Sequence, residues 1–287
     1  MATKKPGAKK SATKKSETKK AAATSPVMSG KLKDAAKQGD LEGVRTLLDR
    51  GIDPNVLVKD TSTLALAVYW DRMDVVMLLL ERGADPNLGT SFPCAGCAMH
   101  SAASEARLEM LPLLLERGGD PNARGQNGGR PLQTALKSMR LERGEWGLKK
   151  PPRERFVGII KALLAAGARA ELEDDRGESA WNEAARADDA EVFTLLAETN
   201  PAVVQSLGKK LLAEVAAHGA KLIDVLVAHG VPPDQHALVV AITRDNAAAI
   251  ERLLANGVDP SEKVNGKTAL ELARQEGSED AVRVLSR

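Results

Sequence analysis

One ten-residue stretch, Leu78-Leu79-Leu80-Glu81-Arg82-Gly83-Ala84-Asp85-Pro86-Asn87, constrains this chain more than any other, because the sequence keeps returning to it. It recurs as Leu47-Leu48-Asp49-Arg50-Gly51-Ile52-Asp53-Pro54-Asn55 and as Leu113-Leu114-Leu115-Glu116-Arg117-Gly118-Gly119-Asp120-Pro121-Asn122. Weaker copies are centred on Leu163-Leu164, Leu226-Val227 and Leu253-Leu254. The leucines close an apolar helix face, and the glycine after them suits a left-handed C-cap, where a Cβ would be penalised. Asp-Pro-Asn then turns the chain, with φ fixed at proline and the Asp and Asn side chains able to bond nearby backbone. The capping glycines fall at 51, 83, 118, 167, 230 and 257. The first two intervals are 32 and 35 residues, the third is 49, and the one from 167 to 230 is 63. One such unit is a helix ending; six near-regular copies predict a repeat architecture.

A second segment recurs half a period earlier. Thr63-Leu64-Ala65-Leu66-Ala67 returns as Ala98-Met99-His100-Ser101-Ala102, Pro131-Leu132-Gln133-Thr134-Ala135 and Ala180-Trp181-Asn182-Glu183-Ala184, then at 237–241 and 269–273. Together with a period near 33 residues, it resembles the Thr-Pro-Leu-His-x-Ala signature of ankyrin repeats. The resemblance covers residues 31–287 and implies an all-α solenoid of about eight stacked helix-turn-helix units with short hairpin turns. On this reading the 49-residue interval is one repeat carrying an insertion near 140–155. The 63-residue interval is two repeats with a degenerate junction near Ala197-Glu198-Thr199-Asn200.

The first thirty residues differ from the rest. Lysine pairs stand at Lys4-Lys5, Lys9-Lys10, Lys14-Lys15 and Lys19-Lys20, opposed by Glu17 alone. This gives the stretch a side-chain charge of +7, whereas the whole chain carries +2. Too few large apolar residues are present to offset the entropy of ordering, so residues 1–30 are expected to be a disordered tail. Its composition is similar to the lysine-rich tails of linker-histone-like proteins. A flexible basic arm contacts phosphates without reading sequence, so the eight lysines are candidate polyanion-binding residues, or else a solubilising leader. The tail lacks the apolar core of a secretory signal, and no run of eighteen apolar residues predicts a membrane span. Two cysteines in 287 residues point to a reducing, cytoplasmic compartment, with nuclear or nucleoid association open through the tail.

Candidate binding residues follow from departures within the repeat. Tyr69-Trp70 occupies a place that is polar in the other copies (Lys37-Gln38, Ser104-Glu105, Thr243-Arg244, Gln275-Glu276). An aromatic pair there is assigned as a partner-binding anchor, because aromatics supply contact area at little entropic cost; the alternative is a ring packed on a neighbouring repeat. Turn tips add Lys59, Asp60, Arg124, Gln126 and Asn127. The insertion carries Trp146 among Lys149, Lys150 and Arg153, a basic loop fit for an acidic partner segment or a nucleic-acid backbone, or a cover for the helix ends.

Catalytic and cofactor motifs find no support. Cys94-x-x-Cys97-x-x-His100 lacks a fourth ligand for zinc, and His100 falls where the ankyrin signature has its histidine. Ser261-Glu262-Lys263-Val264-Asn265-Gly266-Lys267-Thr268 approaches a phosphate-binding loop but lacks the first glycine and a preceding strand; it also reads as a repeat turn. No cofactor and no metal are expected. The resemblance implies a non-enzymatic, monomeric module that binds another protein on its concave face and turn tips. The alternatives are a nucleic-acid-associated regulator tethered by its tail and an inhibitor or immunity-type protein that caps an enzyme or toxin.

Overall fold

The computed structural model describes residues 26–89, 96–141 and 150–287. Among these residues sixteen helices and one two-stranded hairpin form two compact units, the first ending at Gly167 and the second beginning at Ala168. Each unit is a stack of helix pairs. Almost all of the regular structure among the described residues is thus helical, as the repeat resemblance implies.

In the first unit the pairs are α1 (Pro26–Gln38) with α2 (Leu41–Asp49), and α3 (Thr63–Tyr69) with α4 (Met73–Glu81). They continue as α5 (Ala98–Ser104) with α6 (Leu111–Glu116), and α7 (Pro131–Arg140) with α8 (Arg153–Ala165). The hairpin of β1 (Leu57–Val58) and β2 (Thr61–Ser62) precedes α3. First helices pack on one another in succession, α1 on α3 on α5 on α7, and each carries its own second helix. The apolar stripe of α2 shows why: Val44, Leu47 and Leu48 are buried, while Asp40 caps the helix by accepting from the Gly43 N–H at 2.9 Å. All six glycines that end the repeated stretch adopt φ between 82° and 93°, the left-handed cap that their position requires. Pro112 is the second residue of α6, so it removes no interior helix bond.

One boundary is corrected. The disordered tail expected over residues 1–30 does not extend through 26–30, which open α1 at Pro26; residues 1–25 lie outside the described residues. Proline suits the first helical position, where its missing N–H is not needed, and Ser29 is buried with Leu32, Ala35 and Ala36.

Asp-Pro-Asn does more than turn the chain. In each intact copy the Asp carboxylate accepts the Asn backbone N–H (Asn55 on Asp53, Asn87 on Asp85, Asn122 on Asp120), at 2.8–2.9 Å. The Asn side chain then reaches the next pair. Asn87 Nδ2 donates to Gly118 O at 2.8 Å, and its Oδ1 accepts from the Asp120 N–H at 2.7 Å. Asn55 bridges to Gly83 O and Asp85 N in the same way, and Asn122 donates to Gly167 O. Asn87→Ala is therefore expected to destabilise the protein by about 1–2 kcal/mol, the net worth of two hydrogen bonds. Urea unfolding followed by circular dichroism measures it; an unchanged midpoint would mean that water replaces both bonds.

In the second unit α9 (Ala180–Ala187) pairs with α10 (Ala190–Thr199), and α11 (Pro201–His218) with α12 (Lys221–Ala228). The last pairs are α13 (Gln235–Thr243) with α14 (Ala247–Ala255), and α15 (Ala269–Glu276) with α16 (Glu279–Leu285). Asn200 alone separates α10 from α11, so the hairpin and glycine cap are missing where the sequence degenerates. Instead, α11 runs for 18 residues and packs against both α9 and α13.

Candidate functional site

The aromatic pair divides its roles. Tyr69 is fully buried at the end of α3, a first helix packed between α1 and α5, so its assignment as an exposed anchor is corrected to core. Its ring meets the edge of Trp70 at 5.5 Å. Trp70, the C-cap of α3, is half-buried, and the Lys37 ammonium from the preceding pair sits 4.9 Å from its ring centroid. This cation–π contact leaves Trp70 as the member of the pair with accessible surface.

Guanidinium groups secure the same rim, a feature the motif reading missed. Arg72 Nε donates to Lys37 O at 3.0 Å, Arg107 donates to Tyr69 O at 2.8 Å, and Arg155 Nε donates to Ala106 O at 3.1 Å. Each arginine reaches back to carbonyls at or just past the end of a preceding first helix, where the helix dipole favours positive charge. Arg107 also pairs with Asp71 at 3.0 Å, and Arg155 with Glu109, whose carboxyl the Arg155 hydrogen bond holds below its ordinary value. The sequence signal was Arg72 and Arg107, each standing three residues after the end of a first helix.

The turn residues are exposed. Lys59 and Asp60 form the two-residue link between β1 and β2 with φ of 52° and 57°, as a type I′ hairpin turn demands. Gln126 and Asn127 stand in a single 3₁₀ turn, with Arg124 exposed beside it. These turns occupy corresponding places in the second and fourth pairs. Residues 90–95, which precede the third pair, lie outside the described residues, so no continuous run of tips is established. Of the insertion, Trp146 and Lys149 lie outside the described residues, as do Lys4, Lys5, Lys9, Lys10, Lys14, Lys15, Lys19 and Lys20. Lys150 is half-buried and donates to Met139 O near the end of α7 at 2.5 Å, a capping role within the fold. Arg153 opens α8 and is exposed.

The chemically suggestive motifs serve the fold. His100 is fully buried, with Nε2 3.1 Å from Gly129 O and Nδ1 3.3 Å from Cys97 Sγ. Burial pushes its pKa down to about 4 and pushes the Cys97 thiol up, so the pair is a neutral imidazole donating to Gly129 and a neutral thiol. Cys94 lies outside the described residues. No group of three potential metal ligands occurs among the described residues, and no helix there is long and apolar enough to cross a membrane. The loop resembling a phosphate site is a turn closed by backbone bonds between Val264 and Lys267. Thr268 leaves it to cap α15 in a capping box with Glu271.

A family model described as ankyrin repeats matches residues 32–125 and 212–287, in three copies. A search of curated proteins gave no significant match. The stretch between the two matched segments holds the interrupted pair α7–α8 and the pair that runs into α11 without a turn.

Proposed function

The chain belongs to the ankyrin-repeat family, and on that premise we propose that it docks a partner protein on the first unit, around Trp70 and the neighbouring turn tips. Ankyrin repeats are generally protein–protein interaction modules and typically have no catalytic role. The observation that carries the location is the partly exposed Trp70 indole, at a position that is Gln38 and Glu105 in the neighbouring pairs, held by Lys37 and backed by buried Tyr69. A pre-oriented tryptophan gives large contact area at little entropic cost, the usual character of a binding hot spot. Exposed Lys59, Asp60, Arg124, Gln126, Asn127 and Arg153 would orient the partner through charge and hydrogen bonding.

Affinity capture from the source cell, using the full chain and Trp70→Ala, tests this. The recovered partner should bind the variant about thirtyfold or more weaker, the scale of a 2 kcal/mol hot spot. Circular dichroism should show the variant folded. Equal recovery by both proteins would remove Trp70 from the interface. Nucleic acid recovered only at low salt, and equally by both, would put the polyanion reading of the lysine pairs first.

A further inference from the structure

The second unit carries a groove that no motif announced. Between α11 and α13 lies an open cavity of about 630 Å³. Its middle is lined by Ala213, Ala217 and Val240, and its cations are Lys209, Lys210 and Arg244. On α11 the lining positions advance by four residues, which places them on one helical face.

The two carboxylates at the groove are already engaged. Glu214 holds the Arg186 guanidinium at 2.7 Å, and Asp234 caps α13 by accepting from the Ala237 N–H at 2.9 Å. Lys210 faces Glu173 at 3.9 Å. Among the described residues no carboxylate lies within ion-pair distance of Lys209 or Arg244, and both are exposed. The groove therefore offers two uncommitted positive charges flanking a floor of small apolar side chains.

Their separation follows from helix register. Asn246 donates to Ala216 O at 3.0 Å and to Gly219 O at 2.8 Å, which sets the end of α13 level with the end of α11. Arg244 thus stands near the level of His218, whereas Lys209 lies nine residues earlier on α11, about 13 Å back along the axis. An extended chain covers that distance in about four residues, and side chains four apart in an extended chain point to the same face.

We propose that this groove binds an extended acidic segment of a partner protein, with two carboxylates about four residues apart meeting Lys209 and Arg244 and small side chains seated between them on Ala213, Ala217 and Val240. Charge complementarity selects the acidic character, and the apolar floor selects a peptide. A single-stranded nucleic acid would find no Trp, Tyr or Phe among the lining residues on which to stack a base. This rests on the reading that the protein binds proteins, but on a different surface from Trp70, so either can fail without the other.

The test is fluorescence anisotropy on the full chain. The probe is a fluorescein-labelled dodecapeptide with two glutamates four positions apart among alanine, valine and serine. Because the lysine-rich N-terminus attracts any acidic peptide, Lys209→Ala/Arg244→Ala is compared with Lys9→Ala/Lys10→Ala, which removes the same charge from the N-terminus. The groove variant should weaken binding about tenfold or more, the N-terminal variant about twofold or less, and a glutamine version of the peptide should also bind about tenfold weaker. Both groove substitutions are at exposed side chains, so circular dichroism should show an unchanged fold. Equal weakening by the two double variants, or no binding of the glutamate peptide, would overturn the proposal. So would a single-stranded DNA oligonucleotide losing more affinity than the peptide in the groove variant.

Discussion

Trp181→Ala is expected to lower stability by about 3–5 kcal/mol, the range for removing a fully buried large aromatic side chain. Trp181 is completely buried in α9, and its ring meets Phe193 of α10 edge-on at 5.4 Å. It stands where the other repeats place Leu64, Met99, Leu132, Leu238 and Leu270, so this pair is built around a larger side chain than its counterparts. Alanine would leave a cavity between helices that are tied elsewhere. Ser179 and Asn182 fix the start of α9, and Arg186 links it through Glu178 at 3.0 Å and Glu214 at 2.7 Å. Those ties limit collapse into the hole, which raises the cost. Among the described residues the indole Nε1 has no hydrogen-bond partner, so Trp181→Phe forfeits volume but no bond and should cost about 1–2 kcal/mol. Urea unfolding of the three proteins, followed by far-ultraviolet circular dichroism, reads both values. A loss below about 1 kcal/mol for Trp181→Ala would mean that α9 and α10 close over the gap.

That pair also shows what the sequence could and could not convey. The repeat was legible because each recurring residue acts on its near neighbours, the leucines by burying a helix face, glycine by adopting positive φ, and Asp by bonding two residues ahead. Local roles of this kind leave regular spacing. Trp181 was readable as core for the same reason, by its register. The aromatic pair was harder, since register places Tyr69 and Trp70 at a helix end without saying which ring turns inward; packing of α3 between α1 and α5 decides that. The bridging side chains of Asn55, Asn87 and Asn122 were hidden behind a sufficient local explanation as turn residues. Lys150 had looked like part of a binding loop, yet it caps α7, a contact set by how the insertion returns to the stack. The groove between α11 and α13 was invisible because its face has no unusual residue types. Only the pairing of two helices distant in sequence brings Lys209 and Arg244 to one opening.

Acidification is expected to remove about 3 kcal/mol of stability through His100 alone, between pH 6.5 and about 4. Burial is the first cause of its lowered pKa, and nearby Arg130 acts in the same direction, whereas the bond to Gly129 opposes them. Above pH 6.5 the imidazole is neutral whether the chain is folded or not, so it contributes no pH dependence there. Below that value the unfolded chain takes up a proton that the folded site excludes, and stability falls by about 1.4 kcal/mol per pH unit. The decline ends near pH 4, where the folded histidine also protonates. Protonation would put a second N–H on Nδ1, toward the Cys97 sulfur at 3.3 Å, and a charge into a site with no exposure. Urea midpoints measured across this window should fall for the native chain and stay flatter for His100→Gln, which cannot titrate. Carboxylates such as Glu109 contribute at the acid end in both proteins, so the difference between the two curves isolates the histidine. Parallel curves would mean that water reaches the ring. His100 would then not be the dry link between α5 and the turn at Gly129 that its hydrogen bonds describe.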